Sequence, residues 1–199
     1  MRGDTFVALA RTPRAKWIEQ GLRTLADGGP EAVRIEAIAQ ALGVTKGGFY
    51  GYFENRGALL EEMLDSWELG STEELIQRVE SEGGDAATKL HRLITIVASA
   101  DRLTSEVTVD LAIRDWARRD PAVADRLRRV DNRRMAYLRE LFSAFCPDPA
   151  DVETRSLLVY STYIGSHLIA ADHGPYTRSE VLKHTRTWLL TPPGDSRRG

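Results

Sequence analysis

The sequence predicts an all-α chain: an N-terminal three-helix helix-turn-helix DNA-binding domain plus a C-terminal helical bundle, about nine helices in total. Three observations predict it. Apolar residues recur three and four apart along nearly the whole chain, and no stretch alternates as a strand would. Glycine and proline clusters punctuate these stretches, at Gly28-Gly29-Pro30, Gly83-Gly84, Cys146-Pro147-Asp148-Pro149 and His173-Gly174-Pro175. Finally, the segment GVTKGGFYGYF, residues Gly43–Phe53, links two apolar helical runs through a tight corner.

Taken in order, Met1–Thr12 reads as a basic arm that ends near Arg11 and Arg14. Pro13 suits the first turn of a helix over about 13–27, with Trp17, Ile18, Gly21, Leu22 and Leu25 at helical spacing. A second helix spans about 35–42 and a third about 46–52. Between them Gly43 can adopt the positive φ of a sharp turn, and Val44 can plug the corner. Thr45 is placed to cap the third helix through its hydroxyl. Asn55 is the N-cap of a fourth, long helix carrying Leu59, Leu60, Met63, Leu64, Trp67, Leu75 and Val79, with a break expected near Gly70.

Asp85 caps a fifth helix with Leu90, Leu93, Ile94 and Val97 on its inner face. A sixth covers about 104–118. Asp120-Pro121 is a cap followed by proline at the first helical position, and opens a seventh. An eighth helix is expected over about 149–171 and a ninth over about 178–190. The domains are expected at 1–55 (DNA binding), 56–190 (ligand binding and dimerisation) and 191–199 (a flexible tail).

Composition narrows the function classes. Hydrophobic content of 42% and charged content of 28% are globular values. The single cysteine, Cys146, cannot form an internal disulfide, which fits a reducing, cytoplasmic setting. The apolar run Phe6–Ala10 is too short for a signal peptide, and no run is long enough to span a bilayer, so no membrane association is expected. The net charge of −2 does not announce a nucleic-acid binder. Residues 1–60 hold 8 Lys and Arg against 6 Asp and Glu, a weak local excess, so a DNA reading rests on the motif.

In that motif Lys46, Gly47, Tyr50 and Gly51 face outward from the third helix. Lys46 can meet a phosphate or the O6/N7 edge of guanine. The hydroxyls of Tyr50 and Tyr52 can donate to phosphates. Gly47, Gly48 and Gly51 offer close backbone approach to DNA at a helix-propensity cost of about 1 kcal/mol each, and they leave few side chains for base readout. In the bundle, Trp67, His91, Trp116, Tyr160, Tyr163 and His167 are the candidate ligand-binding residues; the last three share one helix face. The charge-dense stretch from Trp116 to Arg134 reads as a solvated helix face. His91, His167, His173 and His184 form no HExxH or Cys-His pattern, and neither a P-loop nor a GxGxxG is present, so no metal, no cofactor and no enzymatic role is expected.

The stretch IEAIAQALGVTKGGFYGYFENRGALL resembles the signature of the TetR family of bacterial transcriptional regulators. The matching residues are Ile38-Ala39, Gly43-Val44-Thr45-Lys46, Phe49-Tyr50-Gly51-Tyr52-Phe53 and Arg56, which stands where the family usually has a phosphate-binding lysine. The resemblance is clearest from Arg14 to Leu60. It implies a homodimer that pairs through its last two helices, binds a double-stranded operator and releases it when a small-molecule effector binds. It therefore implies a ligand-responsive repressor, with Thr45, Lys46, Gly47, Gly48, Tyr50, Tyr52 and Arg56 at the DNA. The competing expectations are a helical protein-interaction module and a regulator that senses a protein partner.

Overall fold

The computed structural model describes residues 12–97 and 106–191. Among them every regular element is helical: α1 (Arg14–Gly28), α2 (Ile35–Ala41), α3 (Lys46–Phe49), α4 (Arg56–Glu68), α5 (Glu74–Ser81), α6 (Ala86–Val97), α7 (Glu106–Ala117), α8 (Pro121–Ser143), α9 (Pro149–Gly165) and α10 (Arg178–Leu190). A 3-10 turn, Pro30–Ala32, precedes α2. The expected break near Gly70 is a π-helical turn, Leu69–Glu73, so α4 and α5 follow one another without a loop. The basic arm, the first two residues of the expected sixth helix and nearly all of the tail lie outside the described residues.

By chain contacts the fold divides into two compact units, Met1–Leu69 with Thr108–Ala124, and Gly70–Val107 with Asp125–Gly199. In the first, α1, α2 and α4 surround a core in which Trp17, Leu25, Val33, Ile38, Phe49, Leu59 and Met63 are fully buried. Gly21 lets α1 pack closely on α4: a Cβ there would come within 2.6 Å of Met63 Sδ, so the methionine side chain would have to shift. Asn55 caps α4 as expected, its side chain accepting from Ala58 N at 3.0 Å. Trp67 Nε1 donates to the buried Asp110 at 3.3 Å, and Arg114 pairs with the same carboxylate at 2.9 Å. Asp110 is therefore buried inside the unit with hydrogen-bonding partners on two helices.

The second unit is built on Val79, Leu90, Tyr137, Leu138, Leu141, Phe142, Cys146 and Val152. Arg92 Nη1 ties the α5–α6 corner by donating to Val79 O (2.6 Å) and Gly83 O (2.8 Å). Asp85, Asp120 and Asp148 accept from first-turn amides of α6, α8 and α9, as expected of caps. Thr177 and Glu180 form a full capping box on α10.

Helix α9 is shorter than expected and stops at Gly165 instead of running to 171. Three hydrogen bonds oppose its continuation. Ser166 Oγ donates to Tyr163 O at 2.8 Å, and Arg178 donates to the carbonyls of Ser166 and Ile169. Arg155 of α9 does the same for the end of α10, Nη1 donating to Leu189 O (2.6 Å) and Thr191 O (2.8 Å). Helix α3 is shorter too, ending at Phe49. Tyr52 N and Phe53 N both turn back to Phe49 O, a tightening that suits a segment holding three glycines.

Candidate DNA-binding face and ligand cavity

The α2–α3 corner has the expected backbone. Gly43 sits at φ 67°, its N–H donates to Gln40 O at 3.1 Å, and Val44 N donates to Ala39 O at 2.9 Å. Thr45 corrects the sequence reading in one respect. It holds the extended N-cap backbone, but its hydroxyl makes no capping hydrogen bond. With only one turn of helix behind it, the backbone carbonyl of Thr45 receives Gly48 N at 3.0 Å instead.

An aromatic stack fixes the short helix. Phe49 meets Trp17 edge-on at 5.5 Å and stacks on Phe53 at 5.1 Å. Arg14 lies over the Phe53 ring at 5.0 Å and is held there by Glu62. This platform leaves Tyr50 exposed, edge-on to Phe49 at 5.3 Å, and Tyr52 half-buried. Gly47 is exposed and Gly48 half-buried. A Cβ at either would meet nothing closer than 3.8 Å, so the protein's own packing does not demand glycine at these places.

Two of the expected DNA contacts have partners within the chain. Lys46 is ion-paired to Glu36 of α2, and both side chains are about half-exposed or more. The pairing raises the lysine pKa and lowers that of Glu36, first through the hydrogen bond and then through charge. Arg56 donates Nε to Val33 O at 2.6 Å and a second nitrogen to Pro30 O, so its guanidinium fastens α4 to the α1–α2 turn. Neither partner was evident from the sequence, because Glu36 is ten residues from Lys46, and carbonyl acceptors leave no sequence signature.

The second unit holds a cavity of about 920 Å³. Of the six expected ligand residues, Tyr160, Tyr163 and His167 line it. Tyr160 and Tyr163 stack at 6.4 Å, and His167 meets Tyr163 edge-on at 5.7 Å. Burial and the neighbouring positive charge of Arg178 push the His167 pKa down. The other three do not line the cavity. Trp67 is buried in the first unit on Asp110, Trp116 is half-buried on α7, and His91 is exposed on α6. Sequence reasoning missed Thr72, Arg134, Tyr137 and the cavity face of α10, Arg178-Leu182-Arg186-Leu189. The three- and four-residue spacing along α10 was the available signal, masked by the ordinary look of a basic solvated helix.

Residues 18–63 match the model of "Bacterial regulatory proteins, tetR family". The match covers the helix-turn-helix segment and supports a TetR-family reading of the chain. The fold agrees across nearly the whole length. A transcriptional regulator from Rhodococcus sp. Rha1 is 21% identical with a TM-score of 0.68, covering 90% of this chain and 94% of that one. The ketosteroid transcriptional regulator KstR2 of Mycobacterium tuberculosis is 19% identical with a TM-score of 0.62, covering 92% and 95%. AibR, solved with isovaleryl coenzyme A and operator DNA, is 18% identical with a TM-score of 0.67, covering 89% and 98%. No curated protein sequence matches the chain. The matched family and the similar structures are transcriptional regulators, which supports a DNA-binding regulator. Among the described residues no helix is long and apolar enough to cross a membrane, and no group of three or more His, Cys, Asp or Glu could hold a metal ion.

Proposed function

We propose that the protein is a homodimeric repressor that leaves a palindromic operator when a small molecule occupies the cavity. The observation that carries this reading is the cavity itself. A space of about 920 Å³ lined by apolar, aromatic and polar side chains suits a small-molecule site. It stands in a chain whose other unit is a helix-turn-helix. AibR, which has this fold, has been solved with isovaleryl coenzyme A and operator DNA together, and that supports the pairing of the two activities.

In this reading residues 1–55 bind DNA, 56–190 bind ligand and dimerise, and 191–199 form a tail. Thr45, Lys46, Gly47, Gly48, Tyr50, Tyr52 and Arg56 face the operator. The dimer forms through α9 and α10, whose Leu157, Leu158 and Trp188 are exposed at 55%, 39% and 70%. Two recognition helices related by a two-fold axis require half-sites about 34 Å apart or a multiple of it. The ligand acts by linkage: it favours a conformation whose recognition helices no longer match that spacing. The run from α4 through the π-helical turn to Ser71 and Thr72 in the cavity wall is the continuous lever between the two functions.

The test is a titration of the dimer onto DNA from upstream of its own gene, with light scattering to fix the oligomer. Binding is expected to be dimeric and to weaken as salt rises, because phosphate contacts release counterions. A monomer in solution, or affinity equal for upstream and unrelated DNA, would overturn the reading.

A further inference from the structure

The charged side chains in the cavity wall are all of one sign. Arg134, Arg178, Lys183 and Arg186 line it, and among the described residues no Asp or Glu does, in a chain whose net charge is −2. Two of the four are committed elsewhere. Arg178 gives its guanidinium to the carbonyls of Ser166 and Ile169. Arg134 donates to Tyr160 Oη at 2.9 Å, and that hydroxyl donates to Asp131 at 2.6 Å. The side chains of Lys183 and Arg186 have no ion-pair or hydrogen-bond partner among the described residues. They are three apart on α10 and therefore neighbours on its surface. Arg186 is half-buried, where an uncompensated cation is costly. The remaining wall is largely apolar, with Leu75, Ile76, Leu93, Val159 and Leu182 among its members.

We propose that the cavity selects a small amphipathic anion, an apolar body ending in one carboxylate or phosphate that Lys183 and Arg186 receive. This deepens the ligand-responsive reading and rests on it. An anion there makes charge-assisted hydrogen bonds and relieves the repulsion among four cations, while the apolar body covers the leucine and isoleucine wall. Neutral analogues gain only the second term, and cationic ones meet repulsion.

The experiment uses the full-length dimer and four ten-carbon probes: decanoate, decyl phosphate, decanol and decylamine. Binding is read by calorimetry below the micelle concentrations, and release of upstream DNA is read in the same samples. The anions are expected to bind at least about tenfold tighter than decanol, the worth of one charge-assisted bond, with decylamine weakest. Decanoate and decyl phosphate also separate a carboxylate head from a phosphate head. In the double variant Lys183→Gln/Arg186→Gln the anion-over-alcohol ratio is expected to fall to about one while decanol binding stays. The single Lys183→Gln change, at an exposed position, gives a partial fall should the double variant not fold.

Decanol matching decanoate, decylamine binding best, no probe binding, or an unchanged ratio in the folded variant would each overturn the anion assignment. An anion that binds selectively without releasing DNA leaves the assignment standing and breaks the proposed repressor mechanism instead.

Discussion

The cations of the helix-turn-helix and the pair Lys183 and Arg186 in the cavity wall stand in opposite situations. On the helix-turn-helix unit five basic side chains are already engaged: Arg14 with Glu62, Lys16 and Arg23 with Glu19, Lys46 with Glu36, and Arg56 with two backbone carbonyls. In the cavity, Lys183 and Arg186 stand in a wall to which no described residue contributes a carboxylate. The difference teaches where the free energy of each binding event comes from. DNA must exchange existing partners for phosphates, so its net gain per contact is small and depends on salt. A ligand anion would displace only solvent, so a single head group can decide its affinity.

The strongest way to break this comparison is to remove the scaffold under the recognition helix. Trp17→Ala deletes a fully buried ring that meets Phe49 edge-on and is expected to cost about 3–5 kcal/mol of stability. Thermal unfolding followed by circular dichroism measures it. A loss below about 1 kcal/mol would mean that the aromatic platform is not what holds α3.

Next in size is the pair Lys46→Ala/Tyr50→Phe. Operator affinity is expected to fall by about 1–3 kcal/mol, with oligomeric state and melting temperature unchanged. Unaltered affinity, read by fluorescence anisotropy, would remove both residues from the interface.

A sharper probe is Glu36→Gln, which frees Lys46 without touching it. Exposed ion pairs are weak, so operator affinity is expected to rise only about two- to fivefold. A fall would show that Glu36 positions Lys46 for DNA rather than competing with it.

The smallest effect concerns His167. Its folded pKa lies below the ordinary histidine value, so the unfolded chain binds the extra proton more readily. Stability contributed by the neutral ring is complete above about pH 6.5 and is lost as pH falls below it. His167→Gln is expected to flatten stability against pH between about 7 and 5 relative to the parent. Parallel curves for the two proteins would remove the histidine from that titration.

Much of the fold was legible because it is local. Gly43 announces its own turn, Asn55, Asp85 and Asp120 announce helix starts, and the Phe49 and Phe53 spacing announces a buried face. What was not legible depends on residues far apart in sequence. The Lys46–Glu36 pair crosses a corner, Arg56 reaches back 26 residues to Pro30, and the cavity wall draws on several helices. Tyr160, Tyr163 and His167 could be grouped because one helix carries them. Lys183 and Arg186 could not be assigned to the same wall, because helix spacing gives a face and not what that face meets. The early ends of α3 and α9 have the same origin: periodicity extends a helix until something outside it captures the carbonyls.

Arg155 and Arg178 make α9 and α10 into a reciprocal fastening. Each helix sends one guanidinium to the carbonyls at or just past the carboxyl end of the other, where the partial negative charge of a helix gathers. Fraying of either end would have to undo a bond made by its neighbour, so the two helices lose or keep their order together. A partner copy of the chain would then meet a plate of fixed shape rather than two independent rods, with less side-chain freedom left to surrender on assembly.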